Sequence, residues 1–177
     1  MNKGSLIYED YIFLKEDKQI IFNNSLYKNQ IQPASIDLTI SEECYQISSS
    51  FLSSNQKVGD KVKNFIIKKI NLEEGYTIKK DKIYLIKLNE KIKFKKNLFG
   101  KCNPKSSTGR LDIFCRSILD YSDEYEKVPY GYNGDIFLEV TTRAFDIFLT
   151  KGDSLNQMRL TNISNDFIKD EDLRKFH

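Results

Sequence analysis

The sequence predicts an all-β fold, and three observations predict it. From Asn64 to Cys102, apolar residues alternate with lysines and other polar residues in short runs. A second block, Gly134 to Ile163, repeats the pattern in two or three further runs. Turn signals separate the runs at roughly 8–12-residue spacing, the layout of a sandwich, jelly roll or barrel of short strands.

In chain order, the stretch up to about Asn24 mixes aromatic and charged residues and leaves room for one short helix. "NQIQPASIDLTI" (Asn29 to Ile40) is a Pro-containing turn leading into a strand on which Ile36, Leu38 and Ile40 alternate. "SSSFLSSNQKVGDK" (Ser48 to Lys61) is Ser-rich and predicts a loop. In "TIKKDKIYLIKL", Ile83 and Leu85 share one face of a strand, and Tyr84, Ile86 and Leu88 share the other. "EKIKFKK" sets Ile92 and Phe94 between lysines. The second block turns at Ala144 and at Lys151-Gly152-Asp153. The tail departs from the β pattern. Ser164 is an N-cap candidate, with acidic residues after it and basic residues near the end, which predicts a short helix.

A chain of 177 residues folds most economically as one domain, residues 1–177, with about two-thirds of its unfolded surface buried. Net charge of +3 with dispersed lysines gives no sign of a nucleic-acid partner. Cys44, Cys102 and Cys115 are odd in number and widely spaced, which argues against a disulfide framework and for a reducing cytoplasm. The N-terminus carries acidic residues where a signal peptide needs an apolar core, and no apolar run reaches the ~18 residues of a membrane span. The single histidine is the last residue, His177, a poor position for a held imidazole. Ser-His-Asp triads, Cys-His pairs and histidine-based zinc sites are thereby disfavoured.

The densest chemistry lies in "NPKSSTGRLDIF" (Asn103 to Phe114). Serine hydroxyls and backbone N–H groups around Gly109 can wrap phosphate oxygens, and Arg110 can grip them bidentately. Such a cluster alone is more often a plain turn. Four segments in order, "IQPASIDL", "NPKSSTGRLDIF", "YGYNGDIFLEV" and "GDSLNQMRL", resemble the motifs of the trimeric dUTPase/dCTP deaminase superfamily. The similarity runs from about Gln30 to Leu160 and points to dCTP deaminases, in particular the N-terminal half of a long bacterial type. The resemblance implies a dUTPase-like distorted jelly roll or β-barrel with short terminal helices. It implies that Lys105, Ser106, Ser107, Arg110 and Gln157 hold the nucleotide, and that Tyr132, or alternatively Tyr130, stacks on it. Asp37 would lie, through water, near a Mg2+ carried by the triphosphate, and Glu139 would be the general acid/base, helped by Arg110 and Ser106.

Two chemistries share this scaffold. A dUTPase activates water with an Asp in the turn before the glycine matching Gly134, and here Lys127, Val128, Pro129 and Tyr130 fill that turn. Asp120, Asp123, Glu124 and Glu126 are the possible substitutes. Glu139 stands in the apolar run "IFLEV", where a carboxylate is costly to bury without partners. Alternation places it with Phe137, opposite Ile136 and Leu138, which still admits a wet face of an edge strand. Zinc deaminases need a His/Cys-x-Glu segment and a Cys-x-x-Cys pair, and the sequence has neither. The resemblance therefore implies zinc-independent hydrolysis of dCTP to dUTP and ammonia, with dUTP and dTTP as further nucleotides that such a site admits. It also implies a homotrimer with active sites between subunits. A dUTPase, a bifunctional deaminase/diphosphatase and a non-catalytic nucleotide-binding module remain the alternatives. Three features depart from the family pattern. Arg110 and Glu139 are 29 residues apart, with an insertion "DYSDEYEKVPYGY" between them. A second, related half does not follow within these residues, so the sequence is a single-domain form, a fragment or one half of a site. The Gly- and aromatic-rich arm that closes a dUTPase site is missing.

Overall fold

The computed structural model describes residues 4–22, 29–95, 97–162, 171 and 174–176. The chain begins with β1 (Gly4–Ser5), α1 (Tyr8–Glu16) and β2 (Ile20–Phe22). Next come β3 (Ile31–Gln32), β4 (Ser35–Leu38), β5 (Ile40–Ile47), α2 (Val58–Lys61), β6 (Ile66–Asn71) and β7 (Tyr76–Ile78). The long β8 (Ile83–Lys93) and β9 (Leu98–Pro104) precede α3 (Ser106–Arg110) and β10 (Ile113–Leu119). Short β11 (Lys127–Val128), then β12 (Asn133–Thr142), β13 (Ile147–Leu149) and β14 (Asn156–Asn162) complete the strands.

These strands make two six-stranded antiparallel sheets. The first runs β11-β9-β14-β4-β3, with β1 also paired to β14; the second runs β10-β12-β8-β5-β6, with β2 also paired to β8. A two-stranded β13-β7 ribbon stands apart. Among the described residues the sheets face each other around the main core without closing into a barrel.

The main core lies between the sheets and takes Ile36, Leu38 and Ile40 from the β4–β5 segment, all fully buried as their alternation predicts. Helix α1 is the expected N-terminal helix. It starts where the Asp10 carboxylate accepts the Ile7 N–H (3.2 Å), and it buries Tyr11 and Leu14. The Tyr11 hydroxyl accepts the Leu160 N–H at 3.0 Å, tying the helix to β14. The helix expected after Ser164 lies outside the described residues, apart from a 3-10 turn at Arg174–Phe176.

A second, smaller hydrophobic cluster covers the outer face of the second sheet. Leu85, Ile118 and Phe137 project from β8, β10 and β12 to meet Phe51, Val58 and Val62. The Ser-rich segment is therefore not a plain loop as expected. Its apolar residues are few but inward-facing, Phe51 stacks on Phe65 (centroids 4.9 Å), and α2 forms beneath them. This cover explains why β8 is buried on both faces: Tyr84, Ile86 and Leu88 enter the main core while Leu85 enters the smaller one. Each such side chain contributes about 1.5–3 kcal/mol by burial.

Candidate active site

The antiparallel register of β10 and β12 sets Arg116 directly opposite Glu139. Both project from the outer face of the second sheet, on the same side as Phe137. The strand that carries Glu139 is internal, between β10 and β8, so the wet-edge alternative does not hold. Glu139 is 5% exposed. Its Oε1 accepts a hydrogen bond from Arg116 Nε at 2.8 Å, and its Oε2, buried from solvent, has no hydrogen-bond partner among the described residues. The Arg116 guanidinium carbon lies 3.8 Å from the centre of the Tyr125 ring. Buried charge thus has a counter-charge, and the counter-charge has an aromatic face.

Glu139 and Arg116 line a cleft of about 680 Å3, open to solvent, together with Phe114, Thr141 and Arg143 of the same sheet face. This size suits a small-molecule site. Gly109 of α3 forms part of its wall.

The Ser/Arg segment folds as a short helix where a turn was expected. Lys105 precedes it with extended backbone, the Thr108 hydroxyl donates to the Leu155 carbonyl at 2.9 Å, and Asp112 beyond its end has φ of 52°. Ser106, Ser107 and Arg110 are exposed. They do not line the Glu139 cleft of their own chain. Gly109 is free of any steric demand: a Cβ there would meet nothing within 4 Å.

A second group gathers on the first sheet. Asp37 on β4 is directly opposite Gln157 on β14, and Lys105 is ion-paired with the Asp37 carboxylate. The Ser35 hydroxyl lies 3.4 Å from Gln157 Oε1. The structure so brings together Asp37, Lys105 and Gln157, and separately Glu139 with its cleft. Among the described residues no three His, Cys, Asp or Glu side chains converge as a resident metal would need.

Tyr132 is buried, and its hydroxyl accepts the Asp120 N–H (3.0 Å) and donates to the Asp135 carbonyl (2.5 Å). Tyr130 is the exposed one of the pair and packs on Phe99. Of the substitute carboxylates, Asp120 accepts the Val58 N–H and Glu126 the Ser117 N–H, and burial pushes both carboxyls up. None of Asp120, Asp123, Glu124 and Glu126 lines the cleft.

Sequence reasoning missed Arg116 and Tyr125. Arg116 stands two residues beyond the quoted motif, and nothing in its neighbours marks it. Its signal is long-range: pairing the two strands that flank the insertion sets it opposite Glu139.

Two facing antiparallel sheets, with a buried carboxylate in a cleft beside a Ser- and Arg-bearing helix, define the dUTPase-like class of β protein. Residues 2–164 match the family described as the 2'-deoxycytidine 5'-triphosphate deaminase (DCD) N-terminal domain. The chain belongs to this family. A similar solved structure is the 2'-deoxycytidine 5'-triphosphate deaminase from Agrobacterium tumefaciens, 30% identical with a TM-score of 0.91. The match covers 100% of this chain and 53% of that one, so this chain spans about half the length of that relative. No curated protein matches the sequence. Among the described residues, no helix is long and apolar enough to cross a membrane.

Proposed function

We propose that the protein hydrolyses dCTP to dUTP and ammonia without zinc, with Glu139 as general acid/base. The observation that carries this reading is a buried carboxylate on a cleft wall, one oxygen held by Arg116 and the other without a partner. Family membership supplies the substrate class.

Glu139 takes a proton from water as its oxygen bonds to C4 of the cytosine ring, and passes protons to the ring and to the departing amino group. Water and dCTP are consumed, dUTP and ammonia released, and no electrons change hands. General acid–base help of this kind is worth roughly 100- to 10,000-fold. Ser106, Ser107 and Arg110 hold the phosphates and complete the site, and Arg110 and Ser106 also position the water. Mg2+ enters as part of the substrate and offsets triphosphate charge near Asp37, while Lys105 passes from Asp37 to the phosphates. Gln157 contacts the nucleotide beside them. dUTP and dTTP fit the same phosphate-binding groups.

The exposed Ser106, Ser107 and Arg110, absent from the cleft wall of their own chain, favour sites completed by a second copy, and we place the protein in a homotrimer. The three unpaired, buried cysteines favour a reducing, cytoplasmic setting.

Glu139→Gln tests the assignment. It keeps the shape and the acceptor for Arg116 but cannot take a proton, so turnover falls by about 1,000-fold while dCTP still binds. Unchanged turnover in the variant would remove Glu139 from the chemistry and favour a binding module.

A further inference from the structure

The loop after β10, residues 120–126, is longer than the motif pattern requires, and its construction shows what it does. It is fastened at several points to the Ser-rich segment. Ser53 Oγ donates to the Leu119 carbonyl (2.5 Å) and accepts the Ser122 N–H (2.8 Å). The Ser54 N–H donates to the Ser122 carbonyl, and the Val58 N–H donates to the Asp120 carboxylate. At its far end the Glu126 carboxylate accepts the Ser117 N–H (2.6 Å). Between these anchors Tyr125 lies against the smaller hydrophobic cluster, with its ring over the Arg116 guanidinium.

Arg116 is thus held from one side by an aromatic face and from the other by a carboxylate. Its flat guanidinium cannot swing toward solvent without losing both contacts, although the side chain is 42% exposed. Engaging only Oε1 fixes the rotation of the Glu139 carboxylate and leaves Oε2 as the oxygen without a partner. Lysine could supply the charge but neither the directed Nε–H nor the flat face.

We propose that Arg116 is a positioning residue that fixes the rotation of the Glu139 carboxylate at the cleft wall, and that Tyr125 of the inserted loop is its brace. This rests on the deaminase reading of Glu139 and adds two residues that neither the motifs nor the family match assigns.

The test is Arg116→Ala in the full chain, assayed with Mg·dCTP and followed by carbon NMR of the Glu139 side-chain carboxyl, its resonance assigned by loss in Glu139→Gln. The expected result is a kcat reduced about 100-fold with KM changed less than about threefold. Ethylguanidinium in solution should restore part of kcat by filling the vacated, half-open position, and sodium or ammonium ions should not. The Glu139 resonance should move in the variant and return when ethylguanidinium is added. Tyr125→Ala, which leaves Arg116 in place, should cost about tenfold in kcat, and Tyr125→Phe less because it keeps the ring face. If Arg116→Ala fails to fold, Tyr125→Ala carries the test through the same two readouts. A raised KM with kcat retained overturns the proposal by assigning Arg116 to the substrate's phosphates. Lost activity with neither rescue nor movement of the Glu139 resonance overturns it in favour of a purely structural role. If the unmodified protein does not turn over dCTP, the deaminase reading fails, and the resonance still decides the clamp: movement and return support it, and a fixed resonance overturns it.

Discussion

Two carboxylates, Glu139 and Glu90, are nearly inaccessible, and the protein treats them in opposite ways. Glu139 has a guanidinium. Among the described residues Glu90 has only neutral donors: Gln30 Nε2 at 2.6 Å, the Thr39 hydroxyl at 2.7 Å and the Thr39 N–H at 3.0 Å. Burial outweighs these bonds and pushes the Glu90 carboxyl up from 4.5 to about 7. A carboxyl that is harder to ionise when folded stabilises the fold below its unfolded value and loses that contribution as pH rises to its folded value. Between about pH 4.5 and 7, Glu90 should therefore withdraw up to about 3 kcal/mol of stability. Urea unfolding at pH 5 and pH 8 should show this loss in the unmodified protein and little of it in Glu90→Gln. Equal losses in both would assign the pH dependence elsewhere. Glu139 was legible through the family resemblance of "YGYNGDIFLEV", since the apolar run alone left its burial open. Glu90 was not, because "NEKIKF" reads as ordinary alternation and its burial comes from Gln30 and Thr39, distant in sequence.

Among elements, the β10–β12 hairpin and α3 bear on function through their glycines. A Cβ on Gly134 would lie 2.6 Å from the Tyr132 hydroxyl, which is fixed between Asp120 and Asp135 and cannot give way. Gly134→Ala should cost about 1–3 kcal/mol in a denaturation midpoint. Gly109→Ala should do the reverse. The added methyl meets nothing, and alanine suits a helix better by roughly 0.5–1 kcal/mol, yet Gly109 walls the cleft. The variant is expected to be slightly more stable and less active; unchanged dCTP turnover would remove α3 from the site. Strand content was readable from period-two alternation, as in Tyr84, Ile86 and Leu88 on one face of β8. Helix α3 was not, since Ser, Thr and Gly favour turns and its docking on the Leu155 carbonyl is a tertiary contact.

At the scale of the whole molecule, the sequence announced one β core but not the second cluster. Phe51 and Val58 lie in a Ser-rich stretch without periodicity and Val62 directly follows it, and only the outer face of the second sheet makes them core residues. Ser50, next to Phe51 in the same segment, lines the Glu139 cleft. The motif residues divide between this cleft and the exposed α3, which bears on assembly. If α3 of one copy completes the Glu139 cleft of another, inactive Glu139→Gln and Arg110→Ala chains should complement each other. Random mixing into trimers should restore about a quarter of the sites. No recovery after verified subunit exchange would place both residues in one chain's site. Incubation with Mg·dCTP, with nucleotides resolved by ion exchange and ammonia quantified, tests dCTP deamination by this chain. The expected result is dUTP and ammonia in equal amounts, abolished in Glu139→Gln. Intact dCTP with bound nucleotide recovered unchanged, or pyrophosphate release without ammonia, would contradict it.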